Sequence, residues 1–167
     1  MTIMIAFRSK YGATARCARI LSERVRGETR LVDLAVERRP DLTGCDVVLV
    51  GGSIYGGKIQ REVTAFCDRN REALLGRRVG LFLCCLAEGE RARQEMEGAF
   101  PPWLLAHAFA RSLPGGELRF RTLRSLDRLL VRSVTTSRGD VSRLRVDALE
   151  SLADDVNAAG AGPGPRP

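Results

Sequence analysis

The sequence predicts an α/β fold: a doubly wound parallel sheet of five strands with helices on both faces. Three features point there. The runs TIMIAF (2–7), DVVLVGG (46–52) and RVGLFLCCL (78–86) are continuously apolar, as strands buried on both faces are. Segments of helical period separate them, which is the pattern of βαβ units. With 167 residues, 44% of them hydrophobic, the chain can bury one sizeable core.

The elements follow in order. TIMIAF is the first strand. From Ala13 to Val25, the apolar residues Ala15, Ala18, Ile20, Leu21 and Val25 share a helical face, and Gly27 lies just past its end. TRLVDLA (29–35) alternates like a half-buried or edge strand, and DVVLVGG is the next buried one. A helix is expected from Arg61 to about Leu75, with Val63, Phe66 and Leu74 inward, followed by the strand RVGLFLCCL. Residues 89–110 read as two helical pieces broken by Pro101 and Pro102, and ARSLPGGEL (110–118) as a weak strand and turn. A basic amphipathic helix is expected over 123–135 and an acidic-leaning one from Val146 to Ala159. Residues 1–159 then form one domain, and GAGPGPRP (160–167) a disordered Gly/Pro-rich tail.

In such sheets ligands bind beyond the carboxyl ends of the strands, where the strand order reverses. The loops to inspect are therefore 8–14, 51–58 and 85–90. In the first, Ser9, Tyr11 and Thr14 offer hydroxyls, Gly12 lets backbone come close, and a helix N-terminus follows. Orphan N–H groups and the helix dipole favour an anion there, and neutral donors suit a monophosphate. Simple capping of the helix by Ser9 or Thr14 explains the same residues equally well on this loop alone. There is no GxxxxGK[ST] for nucleotide hydrolysis and no GxGxxG for a dinucleotide. A phosphoacceptor receiver needs a carboxylate at the end of the third strand, where this chain has GGSIYGG. That loop offers exposed backbone and one flat aromatic, enough to cover a planar ring.

SKYGAT resembles the phosphate-binding signature of the flavodoxin family, with Tyr11 where threonine is usual. VVLVGGSIYGGKI and VGLFLCCLAEGE resemble that family's second and third flavin loops. The late turn and basic helix of GGELRFRTLRSLDRLLVRSV (115–134) are similar to the branch containing menaquinone-dependent protoporphyrinogen IX dehydrogenase. The resemblance implies a flavodoxin-like domain binding FMN. Ser9, Lys10, Tyr11, Gly12, Ala13 and Thr14 would hold its phosphate. Ser53, Ile54, Tyr55, Gly56 and Gly57 would border one side of the isoalloxazine, and Cys85, Leu86, Ala87 and Glu88 the other. It also implies an oxidoreductase of haem biosynthesis passing electrons to a quinone, or alternatively a carrier between redox protein partners. CLAEGE lacks the aromatic that flavodoxins usually stack on the flavin, and the chain is basic where carriers are acidic. A basic surround raises the potential of a flavin that becomes anionic on reduction.

The net charge is +7, almost all from arginine, since Lys10 and Lys58 are the only lysines. In the basic helix, Leu123, Leu126, Leu129, Leu130 and Val134 share one face and Arg124, Arg128 and Arg132 another. The ordinary reading is a packed helix with a solvated side. The sharper one is a surface for anionic lipid or for the propionates of a porphyrin. Aromatics are 5% and none interleave with these arginines, so nucleic acid ranks last. The five cysteines show no C-x-x-C spacing and His107 is the single histidine, so no zinc site is expected. Cys84 and Cys85 point to opposite faces of a strand and read as core rather than as a redox pair. His107 reads as structural. No residue presents itself as acid, base or nucleophile. With no signal-like start and no apolar run of about 20 residues, the expected location is the cytoplasm, with peripheral contact at the inner face of the membrane.

Overall fold

The computed structural model describes residues 1–118 and 141–160. The main sheet holds β1 (Thr2–Phe7), β2 (Glu28–Asp33), β3 (Val47–Tyr55), β5 (Arg78–Cys84) and β6 (Ala110–Ser112), with β4 (Lys58–Ile59) folded back on β3. Its spatial order is β2-β1-β3-β5-β6, and every pair on that path is parallel. The expected five parallel strands are present. A second, two-stranded antiparallel ribbon pairs β7 (Glu117–Leu118) with β8 (Val141–Ser142).

Alternation along the strands splits the core in two. Met4, Ala6, Val48, Val50, Val79, Leu81 and Leu83 face one side. There they meet Val63 and Phe66 of α2 (Arg61–Arg69), Leu74 of α3 (Arg71–Leu75), Met96 of α4 (Gly89–Ala99) and Leu104 of α5 (Pro102–His107). Ile3, Ile5, Phe7, Val47, Leu49 and Phe82 face the other side. They pack on Cys17, Ala18 and Leu21 of α1 (Ala13–Arg24) and on Leu149, Leu152 and Val156 of α6 (Val146–Gly160). Each such leucine or isoleucine contributes about 1.5–3 kcal/mol by leaving water. Asn157 of α6 also closes the end of α1, its side chain accepting from the Arg26 N–H at 2.6 Å and donating to the Arg24 carbonyl at 3.1 Å.

Several expectations change in detail. β3 does not stop at Gly52 but continues through Tyr55, because β4 pairs with its end: Ile54 lies opposite Ile59 and Tyr55 opposite Lys58. The helix expected over 61–75 breaks at Asn70, whose side-chain amide donates to the Phe66 carbonyl at 2.9 Å and ends α2 there. β5 ends at Cys84, so Cys85 and Leu86 belong to the loop beyond it. ARSLPGGEL is divided between β6 and β7. On α1, Cys17 is fully buried while Ala15 and Ile20 only pack at the margin. The basic helix expected over 123–135, with Arg124, Arg128 and Arg132, lies outside the described residues, as does nearly all of the 160–167 tail.

Candidate functional site

The chain leaves β1 for β2 on one side and then crosses to β3 on the other, so the strand order reverses between β1 and β3. Loops leaving the carboxyl ends of β1, β3 and β5 converge beside that point. A cleft there is lined by Ser9, Lys10, Tyr11, Ala13 and Thr14 from the first loop, Ser53, Ile54 and Tyr55 from β3, and Cys84, Cys85 and Leu86 from β5 and its loop.

The first loop is held by its own side chains. Ser9 Oγ accepts the Gly12 N–H at 3.1 Å, and Gly12 takes φ +97, a left-handed value that favours glycine. Arg16 is the first residue to bond back into the helix, to the Gly12 carbonyl at 2.9 Å. The N–H groups of Ala13, Thr14 and Ala15 precede that bond and have no intrahelical partner. Gly12 has no side chain to cap them, and Ser9 serves Gly12 itself, so capping does not account for these hydroxyls. Thr14 is only 1% exposed, yet its Oγ1 has no nitrogen or oxygen partner among the described residues, only the weakly accepting Cys84 thiol beside it. An unpaired buried hydroxyl costs about 1–3 kcal/mol. Free donors, an unspent hydroxyl, the positive end of the α1 dipole and the Lys10 ammonium together suit a phosphate.

The second loop is a strand end and a tight hairpin. Gly56 and Gly57 have φ +57 and +76, which fits the two-residue turn joining β3 to β4. The upstream glycines serve packing. A Cβ on Gly51 would lie 2.0 Å from the Phe82 ring, and one on Gly52 would lie 2.6 Å from Ile59 Cδ1. Ser53 is clamped by Gln60: its N–H donates to Gln60 Oε1 at 2.9 Å, and its Oγ accepts from Nε2 at 2.5 Å. Tyr55 faces the cleft, where Lys10 Nζ sits 3.6 Å from its ring centroid and the Tyr11 ring lies 5.8 Å away, tilted by 56°. The Tyr55 hydroxyl is buried and has no partner among the described residues.

The third loop carries thiols rather than an aromatic. Cys84 Sγ lies 3.5 Å from Cys17 Sγ in the core between β5 and α1. The thiol of Cys17 and then burial raise the pKa of Cys84. Burial, reinforced by Glu95, pushes Cys85 up to about 12. Both thiols stay protonated at neutral pH and make poor nucleophiles. Cys84 and Cys85 are not partners of each other: Cys84 turns to Cys17, whereas the Cys85 thiol turns to the Ala87 carbonyl at 3.7 Å. His107 is structural, its Nε2 lying 2.7 Å from the Arg77 carbonyl.

Five of the residues singled out in the sequence stand apart from the cleft lining: Gly12, Gly56, Gly57, Ala87 and Glu88. Gly12 acts through the backbone of the first loop, the glycine pair makes the hairpin turn, and Ala87 and Glu88 face a neighbouring cavity. Sequence reasoning overlooked Gly116 and Glu117, which also line the cleft. Gly116 is there because a Cβ would meet the Cys85 carbonyl oxygen at 2.9 Å, and the Cys85 N–H donates to the Gly115 carbonyl at 3.2 Å. The GGEL turn is the signal that could have found them. The cleft encloses about 60 Å³, less than the volume of a three-ring system.

Residues 4–144 match the family model of the flavodoxin domain. No curated protein matches the sequence. Among solved structures the chain is similar to rubredoxin:oxygen oxidoreductase from the anaerobe Desulfovibrio gigas, at 15% identity and TM-score 0.56. That match covers 95% of this chain but 35% of the other, so the chain spans about a third of that protein's length. It is similar to a flavodoxin, WrbA-like protein from Agrobacterium tumefaciens at 14% identity and TM-score 0.56, covering 95% of each chain. It is also similar to flavodoxin 1 from Bacillus cereus at 15% identity and TM-score 0.55, covering 93% of this chain and 97% of the other. At these identities the likeness shows the fold.

Proposed function

We propose a redox function for this chain, which belongs to the flavodoxin domain family: it works as an FMN-dependent oxidoreductase of the protoporphyrinogen IX dehydrogenase type, with a quinone as electron acceptor. FMN is the cofactor of the family. The observation that carries the binding mode is the buried Thr14 hydroxyl, with no nitrogen or oxygen partner among the described residues, beside the uncapped start of α1. When bound, FMN supplies the electron-transfer chemistry, and the protein supplies grip, orientation and charge.

In this reading Thr14 Oγ1 and the N–H groups at the start of α1 hold the phosphate, and Ser9 keeps Gly12 in its left-handed turn. Tyr55 and Tyr11 flank the ring system. Lys10 places a positive charge beside the ring and stabilises negative charge on it. The Gln60 clamp on Ser53 fixes the end of β3, and Cys85 and Leu86 close the other side. The haem-biosynthetic substrate and the quinone rest on the sequence likeness of 115–134, and contact with anionic lipid rests on Arg124, Arg128 and Arg132. No helix among the described residues is long and apolar enough to cross a membrane.

Turnover of protoporphyrinogen IX by the FMN-loaded protein with a menaquinone analogue tests the enzyme reading. Activity that falls on replacing Arg124 and Arg128 supports it, and its absence in the yellow protein counts against it. A second reading, electron carriage between redox proteins, is favoured by one feature: the described cleft holds no reactive thiol, and the carboxylate in its lining, Glu117, is engaged by Arg16 at 3.2 Å. Rapid reduction by a flavodoxin reductase with no small-molecule turnover would select it.

A further inference from the structure

A second cavity, of about 350 Å³, lies on the far side of the third loop and shares Cys85 and Leu86 with the cleft. Its size is that of a site for a small organic ligand. Leu86, Ala87 and Leu113 give it apolar walls, and Arg93, Arg143 and Arg145 bring three guanidinium groups to them. The charge is unevenly answered. Glu88, the acidic residue in the lining, pairs with Arg143 at 3.3 Å, and Arg93 pairs at the surface with Glu90 at 3.2 Å. Arg145 donates to the Leu113 carbonyl at 2.9 Å and has no carboxylate partner among the described residues. Glu95 sits behind the wall against Cys85. Arg93, Leu113 and Arg145 also line a further hollow of about 390 Å³ that reaches Arg111 and is faced by Glu97. The trough therefore runs from the edge of the cleft past a succession of arginines.

We propose that this trough binds a flat organic molecule bearing two or more carboxylates, its apolar body against Leu86, Ala87 and Leu113 and its carboxylates on Arg145 and Arg93. Guanidinium forks match carboxylates in geometry as well as charge. An ordered phosphate or halide needs no apolar wall, whereas this cavity has one beside its cations. The backbone builds the site deliberately: Gly115 takes φ +76 with the Arg143 carbonyl oxygen only 2.0 Å from where a Cβ would be. That contact seats the segment after β8, which carries Arg143 and Arg145, against the turn beside the third loop, with the Arg145 N–H on the Pro114 carbonyl at 2.8 Å. The trough stands independently of the cofactor. Its role as the place where the redox substrate meets the flavin rests on the function proposed above.

The test uses naphthalene-2,6-dicarboxylate and its neutral counterpart naphthalene-2,6-dimethanol, titrated by calorimetry into the full chain with and without FMN. The dicarboxylate is expected to bind with or without FMN, at least tenfold tighter than the diol, and more weakly as salt rises. Arg93→Gln and Arg145→Gln should each weaken it severalfold and together at least tenfold. Arg38→Gln with Arg39→Gln, an equal loss of charge after β2 at the opposite edge of the sheet, should leave it unchanged. Arg93 is exposed on α4, so its replacement stands even if Arg145→Gln unfolds the ribbon. Equal affinity for the diol, unchanged binding in the Arg93 and Arg145 variants, or competition with FMN for one site would overturn the proposal. Failure to bind FMN while the dicarboxylate still binds would sink the redox reading and leave the trough standing.

Discussion

Replacing Thr14 with valine removes one hydroxyl and keeps the side-chain shape. In the protein without FMN that oxygen is buried with only the weak Cys84 thiol beside it, so its loss should still stabilise the fold by about 1 kcal/mol. With an ordinary urea dependence of about 2 kcal/mol per molar, the unfolding midpoint should rise by about 0.5 M. With FMN present the same hydroxyl faces a phosphate, and a hydrogen bond to a charged group contributes about 1.5–3 kcal/mol. FMN binding should therefore weaken roughly 10- to 150-fold. Urea denaturation of the FMN-free protein and quenching of FMN fluorescence read the two effects separately. They run in opposite directions, which ordinary damage to a core residue would not do. A Thr14→Val protein that is less stable without FMN, or that binds FMN as tightly as before, refutes the assignment of Thr14 to the phosphate.

Other positions carry their own expectations. Gly12→Ala meets no atom within 4 Å but must adopt φ +97, so it should cost about 1–2 kcal/mol from backbone strain alone and weaken FMN binding in the same titration. Gly51→Ala drives a methyl into the Phe82 ring and should cost about 3 kcal/mol. Adding Phe82→Leu should recover part of that loss in a denaturation cycle, and strict additivity would contradict the contact. Cys67 and Cys85 are pushed up to about 12, chiefly by burial. Each is neutral when folded and ionises more readily when unfolded, so this stabilisation is complete below about pH 8.5 and fades as pH rises toward 12. Iodoacetamide at pH 8 should then leave both unlabelled in the native protein and label them in urea. Lys10→Gln removes the charge 3.6 Å from the Tyr55 ring and should lower the potential of bound FMN by tens of millivolts; an unmoved potential places the lysine elsewhere.

The layered sheet was legible because three strands are buried on both faces, and such strands write continuous apolar runs such as TIMIAF and RVGLFLCCL. The first loop was legible for a related reason: a strand end, a glycine and hydroxyl residues fall in adjacent positions. The second loop was misread in its geometry. GGSIYGG has the composition of a coil, but Gly51 and Gly52 are demanded by Phe82 and Ile59 across strand boundaries, and only the last glycine pair turns the chain. Pairwise contacts of this kind leave no trace in a local pattern. The same is true of Gln60, whose clamp on Ser53 depends on the β4 return, and of the break at Asn70 in an otherwise regular helical stretch. The arginines of the trough are scattered from Arg93 to Arg145 and form no local pattern. Their convergence on the third loop needed the Gly115 approach to Arg143.

The central claim is that the start of α1 grips a phosphate carried by a flat ring. Titrating the purified, flavin-free protein with FMN and with riboflavin, which differ only in that phosphate, tests it most directly. Two charge-assisted hydrogen bonds to the phosphate imply FMN binding roughly a hundredfold or more tighter than riboflavin. Equal affinity for the two, or no quenching of either, contradicts it.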